Sequence, residues 1–229
     1  MSNPIRTWLR QRRVKKRQQK LAGLSTDEVF DEIYKKNKWG DPDSASGKGS
    51  NLLQTATLRA ELPVLLKRYG IQSILDLPCG DFFWMREIDL TGIQYIGADI
   101  VDSLTADNRH KYGSENRQFE TLNLIEDQLP KVDLIFVRDC LVHLSEDKVF
   151  KALNNIKASG STYLLTTDFP MTSENINIMT GQWRRINLLK QPFMLPEPAD
   201  QIVENCTEDS GGFSDKRMAL WRIENIPTY

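Results

Sequence analysis

Cysteine and histidine are scarce in this chain. Three cysteines (Cys79, Cys140, Cys206) and two histidines (His110, His143) occur in 229 residues. The cysteines are odd in number, carry no metal-ligand spacing and lie in or beside apolar runs. They read as reduced thiols of a cytosolic protein rather than as a disulfide framework. Two histidines are too few for a histidine-rich metal site, and no metal is expected. No apolar run reaches the roughly 18 residues of a membrane-spanning helix. The N-terminus lacks the apolar core of a secretory signal. Two phosphate-cradling patterns are missing as well. G-x-x-x-x-G-K-[ST] occurs nowhere, and no G-x-G-x-x-G follows the first strand candidate. These absences argue against a P-loop enzyme and against a nicotinamide-dependent oxidoreductase.

Charge is not scarce, but it is uneven. The formal net charge is −1, from 30 Lys and Arg against 31 Asp and Glu. Residues 1–24 hold eight of the cations (Arg6, Arg10, Arg12, Arg13, Lys15, Lys16, Arg17, Lys20) and no acid, which leaves the remainder near −9. This basic arm reads either as a solvated tail or, over residues 5–20, as a contact for anionic lipid headgroups at the inner membrane or another phosphate-bearing partner. Trp8 is its only aromatic residue, so nucleic-acid binding is not expected.

Residues 25–72 read as helices with a lid-like loop. Ser25-Thr26-Asp27-Glu28 has the form of a capping box, and Val29, Phe30, Ile33 and Tyr34 follow at helical spacing. The polar segment from Trp39 to Ser50 reads as a linker or as a lid over a ligand. A second helix is expected over 55–69, with Pro63 inside it as a point of kinking. From Ser73 onward strands and helices alternate. Strands are expected at 73–77, 94–98, 117–121, 132–137 and 161–166, with helices at 82–88, 102–111 and 145–157. Alternation of this kind implies a mainly parallel sheet with helices on both faces. Residues 202–207 and 217–223 read as a final strand pair around the turn Asp209-Ser210-Gly211-Gly212.

The organising stretch is Ile74-Leu75-Asp76-Leu77-Pro78-Cys79-Gly80-Asp81. An apolar strand ends in an acid and a tight turn, the place where an α/β sheet presents a ligand site. The second strand ends in Gly97-Ala98-Asp99-Ile100. An acid at that tip accepts hydrogen bonds from the two hydroxyls of a ribose. A third segment, Arg138-Asp139-Cys140-Leu141-Val142-His143-Leu144, leaves the fourth strand with a carboxylate and an imidazole.

Together these segments resemble motifs of the class I S-adenosylmethionine-dependent methyltransferases, over roughly residues 52–224. Motif I of that family is (D/E)xGxGxG; Pro78 and Phe82 stand at two of its glycine positions and Gly80 keeps the middle one. The resemblance implies an α/β, Rossmann-like domain over residues 73–229. Its sheet would be seven-stranded and mostly parallel, with a terminal antiparallel pair and helices on both faces. It implies S-adenosylmethionine as cofactor, bound by Asp76, Leu77, Pro78, Cys79, Gly80, Asp81, Asp99, Ile100, Asn123, Leu124 and Arg138. Asn123 would contact the adenine, offering an acceptor and a donor. Asp139 and His143 are the candidate catalytic residues, as base or orienting group. Trp183, Arg184 (or Arg185) and Asp168 would meet the acceptor.

The whole is similar to bacterial methyltransferases found among surface-glycan genes. That implies methyl transfer to a hydroxyl of a sugar or glycan precursor, by direct in-line displacement. An RNA or protein methyltransferase using the basic arm, and a non-catalytic S-adenosylmethionine-binding partner protein, are the alternatives.

Overall fold

Strand residues alternate between two faces, and in this chain both faces are apolar. The computed structural model describes residues 23–41 and 44–229. Its strands are β1 (Ser73–Asp76), β2 (Gln94–Asp99), β3 (Arg117–Thr121), β4 (Leu134–Val137), β5 (Tyr163–Asp168), β6 (Asp200–Val203) and β7 (Arg217–Arg222). Its longer helices are α1 (Thr26–Lys35), α2 (Ala56–Arg68), α3 (Asp102–Tyr112) and α4 (Glu146–Ala158). Leu75, Ile135, Val137, Leu164, Ala219 and Trp221 join the core under α4. Their neighbours Ile74, Leu134, Phe136, Leu165, Met218 and Leu220 join the core under α2. A strand buried on both faces needs a continuous apolar run, which Leu134-Ile135-Phe136-Val137 supplies. Each fully buried side chain of this size contributes about 1.5–3 kcal/mol.

The sheet has seven strands in the order β3-β2-β1-β4-β5-β7-β6. β1 pairs in parallel with β2 and β4, and β4 with β5. β7 enters antiparallel between β5 and β6. The strand order reverses beside β1, so the crevice beyond the C-terminal tips of β1 and β4 is where a ligand fits.

α1 begins where the capping box predicts. Glu28 N–H donates to Ser25 Oγ, and Ser25 N–H donates to Glu28 Oε2. α2 runs through Pro63.

The expected helix at 82–88 is not an α-helix. Gly80 and Phe82 take φ of 56° and 57°, left-handed backbone that cannot enter a right-handed helix. Only a single turn at Met85–Glu87 forms. Phe82 instead drives its ring into the core, against Tyr95, Tyr112 and Phe119. The final strands are also shorter than expected at one end each. Residues 204–207 leave the sheet after Val203, and β7 stops at Arg222. The basic arm, 5–20, lies outside the described residues.

Candidate functional site

A cavity of about 380 Å³ opens at the C-terminal tips of β1, β2 and β4. Asp76, Leu77, Pro78, Cys79, Gly80, Asp99, Ile100, Asn123, Leu124 and Arg138 all line it. Asp139 and His143 lie in the same wall, and so does Trp183. The topology therefore gathers segments separated by about a hundred residues in sequence into one pocket.

The two acids at the strand tips differ in their partners. Asp76 is buried and accepts a 2.5 Å hydrogen bond from Tyr95 Oη. Burial raises its pKa to about 7, against the opposing pull of the Tyr95 hydroxyl. Asp99 accepts from Gly80 N–H at 3.2 Å and from Val101 N–H at 3.1 Å, one bond on each oxygen. Burial raises it to about 6, while these backbone donors pull it down. Each oxygen keeps a second lone pair, so the carboxylate can still accept from two neighbouring hydroxyls. Asn108 fixes the intervening turn by donating to Gly80 O at 2.7 Å.

Asn123 is oriented by its own loop. Its Oδ1 accepts from Ile125 N–H, which leaves Nδ2 as the group without a hydrogen bond among the described residues. Nδ2 is thus available to a ligand as a donor, and Oδ1 keeps one lone pair.

The β4 exit carries a closed ring of four charges. Arg138 pairs with Glu204 at 2.6 Å and with Asp139 at 3.4 Å. Lys216 pairs with Asp139 at 2.6 Å and with Glu204 at 3.5 Å. Burial alone would raise Asp139, but Lys216 and Arg138 outweigh it and hold the carboxyl down to about 2. His143 contrasts with it. Its Nδ1 lies 2.8 Å from the Gln182 carbonyl, which can only accept, so Nδ1 carries the proton. Nε2 is then the basic nitrogen, without a partner among the described residues. Desolvation lowers the pKa of the ring, partly offset by the Gln182 contact and by Asp139. Trp39 packs over this imidazole with centroids 5.4 Å apart.

Three sequence candidates fall outside the cavity wall. Asp81 points the other way, accepting from Ala45 N–H at 2.8 Å and Ser44 Oγ at 3.0 Å. Asp168 is fully buried and ion-paired to Arg217 at 2.6 Å. Arg184 is also buried. Its Nη1 donates to Leu144 O, while its Nε and Nη2 have no partner, and burial lowers its pKa to about 10. Its backbone N–H donates to Val142 O at 3.0 Å, which ties this part of the insertion inward against the turn after β4. Arg185 instead lies with its guanidinium over the Phe213 ring.

Phe30 and Tyr34 of α1 cover the cavity from the N-terminal side, together with Trp39 and Ser46 to Ser50 of the segment read as a linker or lid. The capping box located α1 but not what its far face meets. Trp84, Phe169, Phe213, Glu208 and Lys216 also line the wall. Trp183 packs against Phe213 at a tilt of 49° with centroids 5.0 Å apart and meets Phe169 edge-on at 6.1 Å. Among the described residues no helix is long and apolar enough to cross a membrane, and no cluster fits a metal ion.

No family model and no curated protein matches the sequence. Solved structures do match. Human N-acetylserotonin methyltransferase, in complex with S-adenosylmethionine, superposes at a TM-score of 0.59 with 14% identity over 87% of this chain. That match spans only 60% of the human chain. Magnesium protoporphyrin IX methyltransferase from Synechocystis PCC 6803, with bound S-adenosylmethionine, gives 0.50 with 14% identity over 68% of this chain and 82% of its own. The strand order and these matches place the domain in the class I methyltransferase fold.

Proposed function

We propose that this protein is an S-adenosylmethionine-dependent methyltransferase whose acceptor is a hydroxyl of a sugar or glycan precursor. The observation that carries the reading is the cavity itself. A buried carboxylate suited to a ribose and a neutral imidazole with a bare nitrogen line one space. The donor set fits the cofactor. Asp99 retains acceptor capacity for a diol, Asn123 Nδ2 can donate to a ring nitrogen of the base, and Asp76 places negative charge near a cationic ligand.

S-adenosylmethionine, when bound, supplies a methyl group on a positively charged sulfur, which leaves as a neutral thioether. The chain's own task is alignment and one proton. His143 Nε2 accepts the proton of the acceptor hydroxyl, and the Gln182 carbonyl stabilises the imidazolium through Nδ1. Asp139 is too acidic to serve as that base at neutral pH. It orients the hydroxyl as a permanent acceptor instead. Trp183 and Phe213 offer flat faces for the apolar side of a sugar ring.

Calorimetric titration with S-adenosylhomocysteine tests the cofactor half. Transfer of labelled methyl to a panel of glycan precursors, phenols, RNA and protein tests the acceptor half. Transfer to RNA that disappears with residues 1–24 would replace the glycan reading, and tight binding without any transfer would favour a partner-protein role. The basic arm fits a peripheral contact at the cytoplasmic face of the inner membrane. Binding to vesicles of anionic lipid that is lost on deleting residues 1–24 supports that contact.

A further inference from the structure

The middle glycine of the β1 turn faces a neighbour in its own chain. A Cβ on Gly80 would lie 2.1 Å from Ser46 Oγ, and Gly80 has φ of 56°. The segment 44–50 therefore rests directly on the turn that carries Leu77 to Gly80. Asp81 fastens it there. Its carboxylate accepts from Ser44 Oγ at 3.0 Å, Ala45 N–H at 2.8 Å and Ser46 Oγ at 3.4 Å. Asp81 N–H donates back to Ser46 Oγ at 3.3 Å.

A second fastening holds the other end. Arg138 Nη2 donates to Gly49 O at 2.8 Å. A Cβ on Gly49 would meet Glu208 Oε2 at 3.3 Å and Asp139 Oδ2 at 3.5 Å, so this residue sits close over the charged ring. Between the two ends, Ala45 to Ser50 line the cavity together with Asp76 and Asp99.

We propose that Asp81 is a positioning residue that clamps the 44–50 segment across the cavity, so that release of a bound cofactor requires the Asp81 contacts to break. The inference rests on the cofactor reading proposed above. It assigns Asp81 a role in ligand retention without direct ligand contact. It also assigns Gly80 to the approach of Ser46, whereas the motif resemblance assigns that space to the cofactor.

Hydrogen exchange of the ligand-free protein reads the clamp directly, because the Ala45 amide is one of the groups Asp81 holds. In Asp81→Ala, exchange across residues 44–50 is expected to accelerate by roughly tenfold or more, with protection of the β1–β5 strands unchanged. Unchanged exchange in that segment overturns the clamp. Stopped-flow dissociation of S-adenosylhomocysteine reads the consequence, with release expected to quicken on the order of tenfold. Equal release rates overturn the retention role. Ser44→Ala removes one contact from the opposite side and moves both readouts in the same direction, which covers the case of a misfolded Asp81→Ala. Should the wild-type protein bind no S-adenosylhomocysteine, the methyltransferase reading falls, and the exchange result alone decides the clamp.

Discussion

Replacing Asp99 with alanine separates ligand recognition from folding. In the folded protein each Asp99 oxygen accepts one backbone N–H and retains a lone pair for a ligand hydroxyl. Hydrogen bonds to a charged group contribute about 1.5–3 kcal/mol each, so losing two ligand hydroxyls costs about 3–6 kcal/mol. At about 1.4 kcal/mol per tenfold, affinity for S-adenosylhomocysteine is expected to fall between about a hundredfold and about ten-thousandfold.

Stability responds differently. Burial holds the folded-state pKa near 6, above the ordinary carboxyl value of 3.8. A raised carboxyl pKa means that the folded state binds the proton more tightly than the unfolded chain. The ionisation cost is therefore fully present above the folded pKa and vanishes below the unfolded one. The gap corresponds to about 3 kcal/mol. Alanine removes that cost at pH 8 but also orphans the Gly80 and Val101 amides, at about 1–3 kcal/mol each. The melting temperature at pH 8 is thus expected to stay within a few degrees of wild type, and the deficit to grow at pH 5. Calorimetric titration at pH 7.5 and thermal melts at both pH values check these outcomes. A variant that binds S-adenosylhomocysteine within threefold of wild type refutes the assignment of Asp99.

Wild-type affinity for S-adenosylhomocysteine should itself weaken as pH drops through about 7 and then about 6, as Asp76 and Asp99 protonate, by roughly tenfold in titrations between pH 8 and pH 5. His143→Ala should lower methyl transfer about 10²–10⁴-fold while leaving S-adenosylhomocysteine affinity within about twofold; comparable losses in both would reassign the residue to binding. In proton NMR of the wild type, which holds only two imidazoles, one ring should titrate below 6.5 and disappear in that variant. Glu204→Gln should cost about 3–5 kcal/mol of unfolding free energy in urea titrations, because it breaks a buried ring and leaves Arg138 undercompensated. Arg184→Met removes two orphaned buried N–H groups and one good hydrogen bond, so its unfolding free energy should stay within about 1.5 kcal/mol of wild type and methyl transfer should persist. Loss of transfer in that variant would return Arg184 to the acceptor site.

The sequence alone carried the strands and most of the cavity wall at the strand tips. Apolar runs ending in Asp76 and Asp99 mark strand tips, because a strand buried on both faces can admit an acid only where it leaves the core. Ser25 and Glu28 marked the start of α1 because the capping interaction spans three residues. Such short-range rules also misled. Phe82 to Ile88 have a helix-like pattern, but left-handed Gly80 and Phe82 turn the chain into the aromatic core instead. Arg184 read as an acceptor-site cation beside Trp183, yet tertiary packing buries it. Long-range contact decided everything else. Glu204 and Lys216 lie in the connection between β6 and β7 and reach Arg138 and Asp139 only because β7 inserts beside β5. Ser46 meets Gly80, and Trp39 meets His143, across gaps no local pattern spans. Periodicity and capping report on neighbours a few residues away, whereas the paired charges and the covered glycine depend on which strands lie side by side.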